Sequence, residues 1–137
     1  MRRIIPIISL LIFFAGATFG QTTVSIPDKT APDGSDVLVP VSITAQDDVG
    51  SVNLNIEFDA AVVTFQSVEN NVLTGNFVVN VTGNVIQVGW FGLSPVNLSG
   101  KIFDLKFAYS SGSSALAFVG TNEIDDQVGG AYPVTFT

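Results

Sequence analysis

The chain has 137 residues, 47% of them hydrophobic and 12% charged, a formal charge of −7, and neither cysteine nor histidine. That charge repels phosphate backbones and anionic headgroups, so nucleic acid and membrane surfaces are poor partners. The missing residue types exclude serine-histidine and cysteine-histidine nucleophiles, histidine-bearing zinc sites, thiolate metals and disulfides.

In chain order, the first segment is MRRIIPIISLLIFFAGATFG, with basic Arg2 and Arg3, an apolar run from Ile4 to Ala15, and small residues at Ala15, Gly16, Ala17 and Gly20. This is the pattern of a cleaved secretory signal. The run is shorter than the roughly 18 to 20 apolar residues of a permanent span and is interrupted by Pro6 and Ser9. Cleavage is expected after Gly20, with Ala17 as the alternative, and no cysteine is present to carry a lipid. Residues 21–137 are then expected to form one secreted, monomeric domain. They hold three lysines (Lys29, Lys101, Lys106) against twelve carboxylates. Without disulfides, packing alone has to hold them together, and the length suffices for a single core.

Period-two alternation then runs through the chain, and no window has helical spacing. The predicted strands are Thr22 to Ile26, Ser35 to Thr44, Ser51 to Phe58, Val62 to Val68, Asn76 to Thr82, Asn84 to Phe91, Lys101 to Tyr109, Ser114 to Val119 and Ala131 to Phe136. In the second, Val37, Val39, Val41 and Ile43 share one face, and Pro40 on the other suggests an edge or a bulge. In the third, Val52, Leu54, Ile56 and Phe58 alternate with Ser51, Asn53, Asn55 and Glu57, a half-buried strand with a polar outer face. Turn signals separate them: PDG at 32–34, DDVG at 47–50, ENN at 69–71, TGN at 82–84, SSGSS at 110–114 and GG at 129–130. Gly83-Asn84 suits a tight hairpin with both residues at positive φ. About nine short strands at this spacing predict an all-β, antiparallel β-sandwich with jelly-roll topology.

Little chemistry is written in these residues. Glycoside hydrolysis needs two carboxylates across a cleft, whereas Asp47-Asp48 and Asp125-Asp126 are neighbours in predicted loops, so no enzyme is expected. NEIDDQ gathers Glu123, Asp125 and Asp126 in what reads as an acidic loop, a weak calcium candidate lacking the spacing of an EF-hand. No cofactor or metal is assigned. The sequons at Asn80 and Asn97 carry no meaning behind a signal of bacterial type. The single tryptophan lies in VIQVGWFGLSP, where parity puts Ile86, Val88 and Trp90 inside and Gln87, Gly89 and Phe91 outside.

GSDVLVPVSIT, IEFDAAVVTFQSV, GKIFDLKFAY and the acidic segment before the last strand resemble, in that order, the cohesin domain of bacterial cellulosome scaffolds. Gly34 with Val37 to Val41 matches a glycine-led V-x-V-P-V strand. Phe58 to Phe65 matches an aromatic-Asp-Pro-x-x-Leu-x-Val corner with Ala60 in place of proline, and Gly100 to Phe107 matches a late G-x-Leu/Phe-x-x-Leu-x-Phe strand. The resemblance implies a nine-stranded jelly roll, related to cellulose-binding modules, that binds calcium-loaded dockerin modules of enzymes through a flat sheet face. The implied face holds Ser51, Asn53, Asn55 and Glu57, with Gln87 and Phe91 beside them if the two strands are neighbours. The family's Asn-x-Asp pair falls at Ser51 and Asn53, so its acidic member is absent here.

Three readings follow: a dockerin-type partner bound in the context of extracellular polysaccharide degradation, a polysaccharide bound directly, or a structural or adhesive surface module. Sugar platforms favour Trp and Tyr, and this chain has eleven phenylalanines against one tryptophan and two tyrosines, a core-building set.

Overall fold

The computed structural model describes residues 21–137, so the predicted signal segment lies outside the described residues. The elements are β1 (Thr22–Ser25), β2 (Asp36–Glu57), β3 (Val63–Glu69), β4 (Asn76–Thr82), β5 (Val85–Tyr109), β6 (Ala117–Phe118), β7 (Glu123–Asp125) and β8 (Val134–Phe136), with no helix among the described residues. Alternation explains their burial. Val52, Leu54 and Ile56 are buried while Asn53 and Glu57 are exposed, and Ile86, Val88 and Trp90 are buried while Gln87 and Phe91 are exposed.

Four predicted strands merge into two. Ser35 to Thr44 and Ser51 to Phe58 are the two halves of β2, and Asn84 to Phe91 and Lys101 to Tyr109 are the two halves of β5. Their pairing shifts register between Val41 and Ser42, and at three further points from Ile43 to Ser51, where Asp48 takes φ 55°. Each bulge bends and twists the ribbon without ending it, which lets one strand leave one layer and enter the other. Residues 36–43 of β2 and 100–108 of β5 therefore form one layer, in the order β3-β5-β2-β1-β8. Residues 51–57 and 85–91 form a second, flanked by β4 on one side and by β6 and β7 on the other. Counted by layer, with β6 and β7 sharing one position, the expected nine strand segments return as five over four.

Apolar side chains from both layers meet between them. Phe77 of β4 packs on Phe103 at 6.0 Å, Phe118 of β6 on Phe136 of β8 at 5.4 Å, and Phe58 on Phe107 at 5.7 Å, all tilted or edge-on as the ring quadrupole prefers. Trp90 is buried as well, and its indole N–H donates to the Thr74 carbonyl at 2.9 Å, tying down the segment that crosses from β3 to β4.

Two further details depart from the sequence reading, and a third follows it. The β1–β8 pair is parallel, because the last strand returns beside the first from the other end of the chain. In the hairpin, Thr82 pairs with Val85 and Gly83 has φ 63°, but Asn84 is not at positive φ; a positive angle at the first central position alone is the type II′ pattern. Pro40, expected at an edge or a bulge, lies beside the bulge between Val41 and Ser42, on a stretch of β2 whose other side is free. It is tolerated because β1 reaches only Ser42 and Ile43, leaving β2 a single neighbour at Pro40.

Candidate functional site

The outer surface of the four-stranded layer is built by strand register. Across β7, β2, β5 and β4, one row reads Asp125, Ser51, Phe91, Asn76 and the next reads Glu123, Asn53, Gly89, Val78. The third row is Asn55, Gln87, Asn80, and the fourth is Ala117 of β6, Glu57, Val85, Thr82. All six residues predicted for a binding face thus lie on one surface of two adjacent strands. Gly89 puts no side chain at its centre, leaving a depression between Asn53, Val78, Asn80 and Gln87.

Their roles differ. Asn53, Glu57 and Gln87 are exposed, and Phe91 is 55% exposed, a large apolar ring on a polar sheet. Asn55 is half-buried and is engaged within the sheet: Nδ2 donates to the Thr121 carbonyl at 2.6 Å, while its backbone N–H donates to Asn122 Oδ1 at 2.6 Å. It fastens the segment between β6 and β7 to β2. Ser51 donates from Oγ to Asp125 Oδ2 at 3.3 Å, so this pair also bridges β2 and β7.

The acidic segment is not the loop expected. Glu123 to Asp125 form β7, with Ile124 fully buried and the two half-buried carboxylates on the outer side of the four-stranded layer, where Asp125 Oδ1 is enclosed without a hydrogen-bond partner. Asp126 leaves them, because its Oδ1 accepts the Val128 N–H at 2.9 Å and the Gly130 N–H at 2.8 Å within its own turn. Among the described residues no group of three or more Asp, Glu, His or Cys is arranged to hold a metal ion.

Sequence reasoning missed the contribution of β4, namely Asn76, Val78, Asn80 and Thr82. Carrying register back from the predicted 82–85 hairpin places Asn80 beside Gln87 and would have found it. It also missed two exposed apolar residues at the edge of the face, Leu93 at 88% and Val128 at 92%. Gln127 Nε2 donates to the Gly92 carbonyl at 2.9 Å, which brings the turn carrying Val128 against the backbone beside Leu93.

Charge is divided between the two outer surfaces. Among the described residues, the four-stranded face carries Glu57, Glu123 and Asp125 and no cation. Two of the three lysines lie on the other layer, where Lys101 pairs with Asp104 at 2.8 Å and Lys106 lies 3.6 Å from Glu69 and 3.9 Å from Asp36. Asp104 is almost wholly buried. Burial pushes its carboxyl up, but hydrogen bonds from Lys101 and from Asn70 at 2.7 Å, with the charges of Lys101 and Lys29, hold it below the ordinary value. At the end of the sandwich near Asp47 and Asp48, burial together with Asp126, Asp48 and Asp47 pushes the Tyr132 phenol up while it donates to the Asp48 carbonyl at 2.9 Å.

A family model described as the cohesin domain matches residues 22–128. No curated protein matches the chain. Among solved structures, a non-cellulosomal cohesin from the hyperthermophilic archaeon Archaeoglobus fulgidus is similar at 32% identity and TM-score 0.72, over 85% of this chain and 86% of that one. The cohesin CaCohA2 of Clostridium acetobutylicum, in a complex with a CaDoc0917 variant, is similar at 22% identity and TM-score 0.76, over 85% and 95%. A Clostridium thermocellum Coh-OlpA–Doc918 complex is similar at 18% identity and TM-score 0.75, over 86% and 95%. The fold they share with this chain is the jelly-roll β-sandwich.

Proposed function

The chain belongs to the cohesin domain family, and on that premise we propose that it is a non-catalytic secreted module that binds a dockerin-type protein partner through the outer face of its four-stranded layer. The observation that carries the reading is one ordered polar sheet surface, four residues across, with a single exposed aromatic ring at one end. Asn53, Gln87, Asn76 and Asn80 supply hydrogen-bonding groups, Phe91 supplies an apolar anchor, and Ser51 with Asn55 stiffen the sheet from within. Interfaces of ordinary size take roughly 800 Å² from each partner, within reach of one flat sheet. Two similar structures are named as complexes of a cohesin with its dockerin, which supports this class of partner.

The module itself needs no cofactor in this account, and any calcium belongs to the partner. Secretion follows from the leader, with Gln21 as the mature N-terminus. Intact-mass measurement of the exported protein checks it: a chain starting at Gln21 is expected, and retention of residues 1–20 would contradict it.

Direct sugar binding is the weaker reading, since Trp90 is buried with its N–H engaged and Phe91 is the one large aromatic on the face. An adhesive role outside any polysaccharide-degrading complex has one observation in its favour, the non-cellulosomal character of the 32% identical relative. Calorimetry against a panel of dockerins, with and without calcium, tests the proposal. Calcium-dependent binding of at least one member is expected; binding to insoluble cellulose with no dockerin bound would overturn it.

A further inference from the structure

Each layer of the sandwich ends in two edge strands, and three of the four edges are blunted. β3 bulges between Phe65 and Ser67 and ends on Glu69. β8 is three residues long and follows Pro133. On the far side of the docking layer, β6 and β7 are two and three residues long, and β7 carries two carboxylates. Short length, proline, bulges and charge are the usual devices that stop one sheet edge from pairing with another.

β4 has none of them. It runs seven residues, NFVVNVT, without proline, glycine or charge, and pairs with β5 in unbroken register from Asn76 to Thr82. Val78 on its outer side is 62% exposed and Val81 on its inner side is 43% exposed. Its free edge has no partner strand among the described residues; the Phe77 N–H turns back to the Gly75 carbonyl at 2.9 Å, and the backbone groups of Val79 and Val81 face outward.

We propose that β4 is a self-association edge, pairing antiparallel with β4 of a second copy across a two-fold axis. A second copy is the occupant that fits, because the uncharged strand NFVVNVT laid antiparallel on itself about a two-fold axis is self-complementary, and charge then selects this edge over the rest of the surface. Residues 21–137 hold three lysines against twelve carboxylates, so two copies repel each other over most of their surface. They approach at least cost along an edge that carries no charge. Pairing centred on Val79 sets Val78 beside Asn80 of the partner strand and joins two four-stranded layers into one eight-stranded sheet. Both docking faces then lie on the same side of that sheet. The contact is smaller than a standard interface, so the dimer is weak and concentration-dependent.

Light scattering over a rising concentration series, combined with hydrogen exchange, tests this on the mature chain. Weight-average mass is expected to climb toward twice the monomer value, with β4 amides gaining protection in step, and to climb at lower concentration when salt screens the net charge. Val78→Lys and Val81→Lys lie on opposite sides of the strand and share only the edge. Each should hold the mass at the monomer value while leaving the melting temperature within a few degrees of wild type. A constant monomer mass for the wild type overturns the proposal. So does open-ended aggregation, or a dimer abolished by Phe91→Ser and untouched by both lysine variants, which would put the contact on the docking face.

Discussion

Trp90 and Phe91 are adjacent and do opposite work, because strand parity alone separates an indole fixed by Thr74 from a ring facing solvent. Removing Trp90 opens the core, so Trp90→Ala is expected to cost about 3–5 kcal/mol in denaturant unfolding. Phe91→Ala should leave stability unchanged and weaken partner binding about thirtyfold, the scale of an interface hot spot. Calorimetry on the two variants separates the roles. Asp104 gives a pH prediction. Its folded pKa is lowered, so its contribution is complete above the ordinary value of 3.8 and is lost as pH falls through the depressed folded value. Melting temperatures between pH 7 and pH 2 should therefore fall more steeply for the wild type than for Asp104→Asn. The variant should be less stable at neutral pH by about 1–3 kcal/mol, the worth of hydrogen bonds to a buried charge.

Among the elements, β4 through the first half of β5 was the most legible, since alternation and a Gly-containing turn fixed both strands and their pairing. Where β2 and β5 cross between layers, the sequence shows turn residues, DDVG and GLSP, and the chain bends there without ending its ladder. Local propensity registers the bend and cannot register the partner strand that keeps it paired. β7 was hidden for a related reason. Only Ile124 of its three residues is apolar, and a strand that short exists because β2 offers it an edge. The Asn55 side chain helps hold that edge strand through its bond to the Thr121 carbonyl, so Asn55→Ala, which removes that bond and keeps the backbone one to Asn122, should speed amide exchange in residues 117–125 and cost about 0.5–1.5 kcal/mol. A partner-contact role alone would leave exchange in the free protein unchanged. Gly92 is constrained just as locally, because a Cβ there would lie 2.8 Å from the Trp90 ring and 2.9 Å from the Ser94 carbonyl oxygen. Gly92→Ala should lower the melting temperature by displacing Trp90.

On the scale of the whole molecule, composition announced an acidic domain without cysteine or histidine, and the fold sorts that charge. Among the described residues, carboxylates without cations occupy the outer face of the four-stranded layer, while Lys101 and Lys106 sit on the other layer in ion pairs. The complementary partner surface is neutral or basic, and for a basic partner association should slow as ionic strength rises past about 0.15 M, where the Debye length is about 8 Å. The binding surface is read most directly from a footprint. Amide chemical shifts of the labelled domain, titrated with a calcium-loaded dockerin that binds it, should move at Ser51, Asn53, Gln87, Gly89, Phe91 and Glu123 and stay fixed around Asp104 and Lys106. Shifts centred on the five-stranded face, or no binding by any dockerin tried, would contradict the account.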